Sequence, residues 1–322
     1  MKLLQSLRES AAPAVAVAFT SRQVSAAALD VRGGQPVVAA HAEEPLPGGA
    51  LVPSLTNANV VDRGAVATAL GRVFDRLGSR PRRVGVVVPD SIAKVSLVRF
   101  EHVPTRAQDL DQLVRWQVRK AAPFAIEDAQ VSYVPGVRSP EGQEFVVSLA
   151  RRSVIQEYET LCRDEGAHAG LVDLATFNIV NAVLAAGTPP LADWLLVHVA
   201  PDYASLAIVR GEDLVFFRNR TADGEGTVAD LVHQTAMYYE DRLKGAGFAR
   251  ALLAGATSLQ ASEDVEAVRR TLEDRLALNV ETVDPRAAAG ITDRIAAAPA
   301  LLDALAPLVG MLMRDRTVAK AG

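Results

Sequence analysis

Residues 99–133 read RFEHVPTRAQDLDQLVRWQVRKAAPFAIEDAQVSY, and no other stretch says as much about how the chain is built. They complete an alternating, apolar-rich strand that begins near Val95. Val103-Pro104-Thr105 then leads into a helix with a capping-box pattern, Thr105 at the N-cap and Gln108 completing it. Leu110, Leu113, Val114, Val118 and Ala121 recur at helical spacing and make one apolar face, with Gln117 in its middle and Trp116 at its edge. Pro123 stops the helix, because the residue before a proline is pushed out of the α region. A second alternating strand follows around residues 131–135.

This order of elements resembles the signature of the PilM family of type IV pilus assembly proteins. The family carries a Leu-Pro step, a helix with a Trp-Glu pair, a Pro-Phe step, a short acidic segment and an Asp-Tyr strand. Here the same order reads Val103-Pro104, Trp116-Gln117, Ala122-Pro123-Phe124, Ile126-Glu127-Asp128 and Ser132-Tyr133. Val103, Gln117 and Ser132 depart from it. An ordinary amphipathic helix between strands would explain the helix alone, not the succession.

The chain of 322 residues is long enough for two or three subdomains, and 49% hydrophobic with 22% charged residues reads as soluble and globular. A net charge of −4 gives no electrostatic reason to expect nucleic acid. The one basic cluster, Arg80-Pro81-Arg82-Arg83, reads as a solvated loop. Cys162 is the sole cysteine, so no intramolecular disulfide forms and a reducing compartment fits. His41, His102, His168, His198 and His233 are scattered, with no metal-ligand spacing. The nucleophile-elbow, Walker A and dinucleotide-binding patterns do not occur. Glu9 and Pro13 interrupt the N-terminal apolar run, which reads as a first strand rather than a signal peptide. Residues 1–7 (MKLLQSL) are too few to anchor the chain, and no run approaches the ~20 apolar residues of a spanning helix.

Taken in order, residues 13–40 read as a meander of strands, 59–77 as a helix and 84–88 as a strand covered on both faces. After the quoted stretch come a strand at 144–150, a helix at 153–164 ended by Gly166, a strand at 170–174 and a helix at 175–186. Pro189-Pro190 marks a boundary, and a second meander occupies 194–217. A helix at 228–243, a strand at 250–254, a helix at 263–276, a strand at 279–283 and a helix at 300–314 complete the chain. By its order of elements this α/β plan resembles the actin-like (ribonuclease H-like, duplicated) fold, with the inserted subdomain of FtsA and PilM. The expected division is 12–93 for the first half, 94–167 for the insertion, 168–190 for the return, 191–298 for the second half and 299–316 for a C-terminal helix packing back on the first half. The stretch before residue 250 has room for about one helix, so the subdomain that covers adenine is expected to be missing.

The resemblance implies ATP and Mg²⁺ held between the halves by two Asp-x-Gly turns and a Gly-Gly adenosine loop. The aspartates would organise the cation and the glycines would let backbone N–H groups reach phosphate. At the first turn Ala18 stands for the Asp and Thr20 for the Gly, and Ser25 falls where PilM proteins often have Lys. At the second, His198 replaces the Asp, Ala200 the Gly, and Pro201 removes an N–H. Only Gly255 survives in the adenosine loop, and Asp202 reads as a turn former. No cofactor, metal or catalytic residue is therefore expected, and ATP hydrolysis is not. The family resemblance implies instead a cytoplasmic adaptor, peripheral to the inner membrane through its partners. It would bind the N-terminal tail of a PilN-like membrane protein in a groove between core and insertion, with other platform components nearby. Phe100, Trp116, Pro123 and Phe124 are the partner-binding candidates, against the alternative that Trp116 and Phe124 pack the insertion's core. A working ATPase with divergent loops, an FtsA-like filament protein and a type II secretion component are the alternatives. The first predicts saturable Mg-ATP binding, and the second a long C-terminal amphipathic anchor. The secretion protein GspL shares the cytoplasmic fold but continues into a transmembrane helix.

Overall fold

The structure, a computed structural model, describes residues 13–78, 80–187, 190–258, 265–292 and 298–314. The expectations placed on residues 1–7, on Pro189, on the start of the helix at 263 and on the last residues of the chain lie outside these.

Strand β1 (Val15–Phe19) is buried at every position. A strand alternates its side chains between faces, so both faces must be covered. Val15, Val17 and Phe19 meet a core of larger side chains, whereas Ala16 and Ala18 meet a second core on the other side. β1 pairs antiparallel with β2 (Gln23–Arg32), which pairs antiparallel with β3 (Gln35–Pro45). Gly33 and Gly34 make the two-residue turn between them at φ of 57° and 79°, the signs that a type I′ hairpin demands. On its other edge β1 pairs parallel with β4 (Arg83–Val88), and β4 with β8 (His168–Leu174).

The second half repeats this pattern. β9 (Asp193–Val199), β10 (Tyr203–Arg210) and β11 (Asp213–Thr221) form the meander. β12 (Arg250–Ala254) and β13 (Val280–Thr282) then add in parallel beyond β9. The orders β3-β2-β1-β4-β8 and β11-β10-β9-β12-β13 are the same arrangement twice, and β14 (Gly290–Ile291) returns to the edge of β3.

Helix α1 (Arg63–Arg76) starts later than periodicity suggests, capped by Asp62 through the N–H of Ala65. The reason lies outside it: the Glu157 carboxylate accepts from the N–H groups of both Asn59 and Val60 at 2.8 Å, and the Tyr158 hydroxyl donates to the Asn59 side chain. Those contacts hold residues 59–60 in a loop. Between β4 and β8 a separate sheet forms from β5 (Ala93–Phe100), β6 (Ala129–Ser139) and β7 (Gly142–Arg151) in the order β5-β7-β6. Helix α2 (Ala107–Val118) covers one of its faces, burying Val114 and Val118 against Phe100, Phe145 and Val147. Thr105 does not cap it. The helix begins at Ala107 with Arg106 at the N-cap, one residue too late for the Thr105 hydroxyl to reach the free N–H groups.

α3 (Arg152–Asp164), placed with the insertion by the sequence, buries Tyr158, Leu161 and Cys162 in the core shared by β1 and α1. It ends in a Schellman motif: Ala167 N–H donates to Cys162 O at 2.9 Å and Gly166 N–H to Arg163 O at 3.0 Å. Gly166 takes φ 79° as its position requires. Further on come α4 (Ala175–Ala186), α5 (Val228–Leu243) and α6 (Val265–Leu276). α5 is the one helix described between β11 and β12, and it carries a full capping box from Thr227 and Asp230.

The last helix, α7 (Pro299–Met313), lies over the alanine face of the first sheet. Leu305, Leu308, Met311 and Leu312 pack on Ala16, Ala18, Ala27 and Val87, each fully buried side chain of this size contributing about 1.5–3 kcal/mol. α7 also crosses α4 so closely that a Cβ at Gly310 would stand 1.6 Å from the Asn178 carbonyl oxygen. Gly310→Ala must therefore displace backbone. We expect a loss of about 3 kcal/mol, read as a lower midpoint in denaturant unfolding.

Candidate functional site

The two duplicated sheets face each other across a cleft of about 410 Å³. Ala18, Thr20, Ser25, His198, Ala200 and Gly255 all line it. The positions that the sequence marks as degenerate loops thus come together in one place. Three turns close the cleft, and in each some of the backbone donors are already engaged.

In the turn between β1 and β2 the Thr20 hydroxyl oxygen accepts from Arg22 N–H at 3.3 Å and Gln23 N–H at 3.1 Å. In the turn between β9 and β10 the Ala200 N–H donates to Tyr203 O at 2.9 Å, and Pro201 has no N–H to offer. After β12, Gly255 takes φ +73°, and a Cβ there would lie 2.0 Å from Val199 O, so only glycine fits. Its N–H donates to the Asp303 carboxylate at 3.0 Å, as does that of Thr257, while the Thr257 hydroxyl donates at 2.7 Å. Glu43, Asp202 and Asp303 face the cleft against one guanidinium, Arg22. A triphosphate with Mg²⁺ fits this set badly: the donors named are taken, and the lining carries more carboxylates than cations. Among the described residues, no group of three or more His, Cys, Asp or Glu is placed to hold a metal ion.

Behind the cleft lies a polar cluster that the sequence reading missed. Asp90, fully buried just after β4, accepts from Thr176 N–H at 3.0 Å in the first turn of α4. Its other oxygen accepts from the Thr176 hydroxyl and from Ser205 Oγ at 2.6 Å. Asn219 donates to Ser205 Oγ at 2.9 Å. The Thr176 hydroxyl has one proton, which goes to Asp90, so it accepts from His198 Nδ1 at 2.8 Å. His198 thus donates back into the first half. Burial, followed by the Asp90 charge, holds the Tyr203 phenol well above its usual range. The one sequence cue was a charged residue directly after an unbroken apolar strand, Val86-Val87-Val88-Pro89-Asp90.

A second cavity of about 420 Å³ runs between the three-stranded sheet and the first half. Ser132 and Val134 of β6, with Val146 and Ser148 of β7, form one wall, and Leu171, Asp173 and Phe177 form the other. Glu212 and Asp213 stand on its rim, and Arg314 donates to Asp173 at 2.6 Å. Burial raises the Asp173 carboxyl above its usual range, against the pull of Arg314. β6 and β8 are each the terminal strand of their sheet, so each brings an edge to this region.

A family model described as type IV pilus assembly protein PilM matches residues 16–246, more than two thirds of the chain. The chain belongs to the PilM family. The solved PilM-PilN type IV pilus biogenesis complex is similar over 94% of this chain and 98% of that one, with a TM-score of 0.78 at 17% identity. A protein from Bacteroides thetaiotaomicron with an actin-like ATPase fold and unknown function covers 85% of this chain and 91% of its own, with a TM-score of 0.50 at 10% identity. The fold is therefore actin-like.

None of the four partner-binding candidates of this PilM-family chain lines the groove. Phe100 is buried in the core of the inserted sheet, its ring 5.9 Å from Phe145, and Phe124 packs partly against that core. Trp116 is 70% exposed, and Pro123 is exposed as well. Strand alternation explains the separation: Val131, Val147 and Leu149 point to the face under α2, and Ser132, Val134, Val146 and Ser148 to the groove. The groove residues carry a weak signal in sequence, a small polar and an apolar side chain on one strand face. Asp90→Ala would strand the Thr176 N–H and Ser205 hydroxyl. We expect a loss of about 3–5 kcal/mol in chemical denaturation, and a loss below about 1 kcal/mol would count against Asp90 as the tie between halves.

Proposed function

We propose that this PilM-family protein is a scaffold of the type IV pilus inner-membrane platform, on its cytoplasmic side, that does not hydrolyse ATP. In this reading it holds the N-terminal tail of a PilN-like membrane protein in the groove between the inserted sheet and the first half. The observation that carries the proposal is the groove itself, an apolar channel with the edge strands of two sheets at its walls. An extended tail can add to such an edge through its backbone and place alternate side chains in the apolar wall. The acidic rim of Glu212 and Asp213 suits a tail that carries positive charge. The family relationship and the likeness to a PilM-PilN complex support the choice of partner. Among the described residues no helix is long and apolar enough to cross a membrane, so attachment through a partner accords with the fold.

The engaged donors of the cleft support the absence of hydrolysis. A working site needs groups aimed at the γ-phosphate and its cation. Here Ala18 and His198 stand where the family's carboxylates would organise Mg²⁺.

Calorimetry tests both parts. The purified protein should give no heat with Mg-ATP up to millimolar nucleotide, and saturable binding would reopen the ATPase reading. The tail peptide should bind, and Val134→Arg should weaken it at least about tenfold, because Val134 is half exposed and faces the groove. Trp116→Ala should leave the affinity unchanged. Weakening by the Trp116 change and not by the Val134 change would place the tail elsewhere.

A further inference from the structure

The loop after β12 has the shape of an anion nest: Gly255 at positive φ and the N–H groups of Gly255 and Thr257 converging on one acceptor. That acceptor is a side chain of the protein. We propose that Asp303 is a built-in stopper, an internal anion that fills this nest and clasps the two halves in a closed state needing no nucleotide. The inference goes beyond the scaffold reading, because it concerns what holds the halves together rather than what the groove binds.

Three observations carry it. Asp303 belongs mechanically to the first half, since the apolar side of α7 is seated on β1, β2 and β4. Its partners belong to the second half, at the end of β12. Each carboxylate oxygen is used: one takes Gly255 N–H, the other Thr257 N–H and the Thr257 hydroxyl, at 2.7–3.0 Å. A carboxylate is a fair substitute for a phosphate oxygen pair in charge and acceptor geometry. Because α7 holds it in place, it needs no binding from solution, an advantage that a free anion must overcome. Asp90 makes the equivalent tie on the inner side of the cleft, through Ser205. The halves are joined on both sides by carboxylates of the first half accepting from donors of the second.

The test is amide hydrogen exchange of full-length protein over residues 250–258, for wild type, Asp303→Ala and Asp303→Asn, with and without inorganic phosphate. Wild type should exchange slowly and ignore phosphate. Asp303→Ala should exchange about tenfold faster or more, and phosphate should slow it again by refilling the nest. Asp303→Asn, with one acceptor oxygen left, should fall between. Unchanged exchange in folded Asp303→Ala would overturn the clasp. Faster exchange that phosphate does not reverse would overturn the nest. Should Asp303→Ala fail to fold, Thr257→Ala removes one donor only and must still speed exchange of the loop. Binding of Mg-ATP by wild type is a separate result: it would overturn the scaffold reading, whereas this inference is decided by the variants.

Discussion

The arrangement of the molecule depends on one buried carboxylate. Asp90 lies just after a strand of the first half, without solvent, and both of its carboxylate oxygens accept from donors elsewhere in the chain. A buried charge is tolerated only when it is matched in this way, so the positions of α4 and β10 relative to β4 are specified together. Hydrophobic burial alone would let the two sheets slide, because apolar contact is not directional. The hydrogen bonds to Asp90 convert that contact into a single alignment. The cleft lies where that alignment brings the two sheets face to face.

In the proposed scaffold reading, the cleft has the place of a nucleotide site without its chemistry, for two reasons. That Ala18 and His198 bring no carboxylate to the cleft was visible in the sequence. Engagement of the donors was not, because it arises from contacts distant in sequence: Asp303 lies 48 residues from Gly255. Thr20 is the intermediate case, a local side chain closing its own turn, and the behaviour of Ser and Thr in turns makes it readable in retrospect.

The same division runs through the fold. β1, β4 and β9 could be placed from sequence because strands buried on both faces read as unbroken apolar runs, and α4 and α5 because their apolar positions recur at helical spacing. The turn at Gly33-Gly34 and the stop at Gly166 were readable for the local reason that each needs positive φ. What failed depended on partners. Thr105 has the right chemistry for a cap and misses by one residue, and residues 59–60 are kept from the helix by Glu157, far along the chain. Trp116 was singled out by its place in the family-like succession, and its exposure on the outer side of α2 depends on which sheet face the helix covers, which the sequence does not state.

The groove walls have a consequence for the protein's behaviour in solution. The free side of a terminal strand is a template for another copy of the chain, and here two terminal strands flank one channel. β6 is partly blunted: Pro135 has no N–H, and the register against β7 breaks between Pro135 and Arg138. Only the stretch before Pro135 remains a straight template. A segment occupying the channel would cover that template. A chain whose channel stands empty presents that strand edge to every other copy it meets.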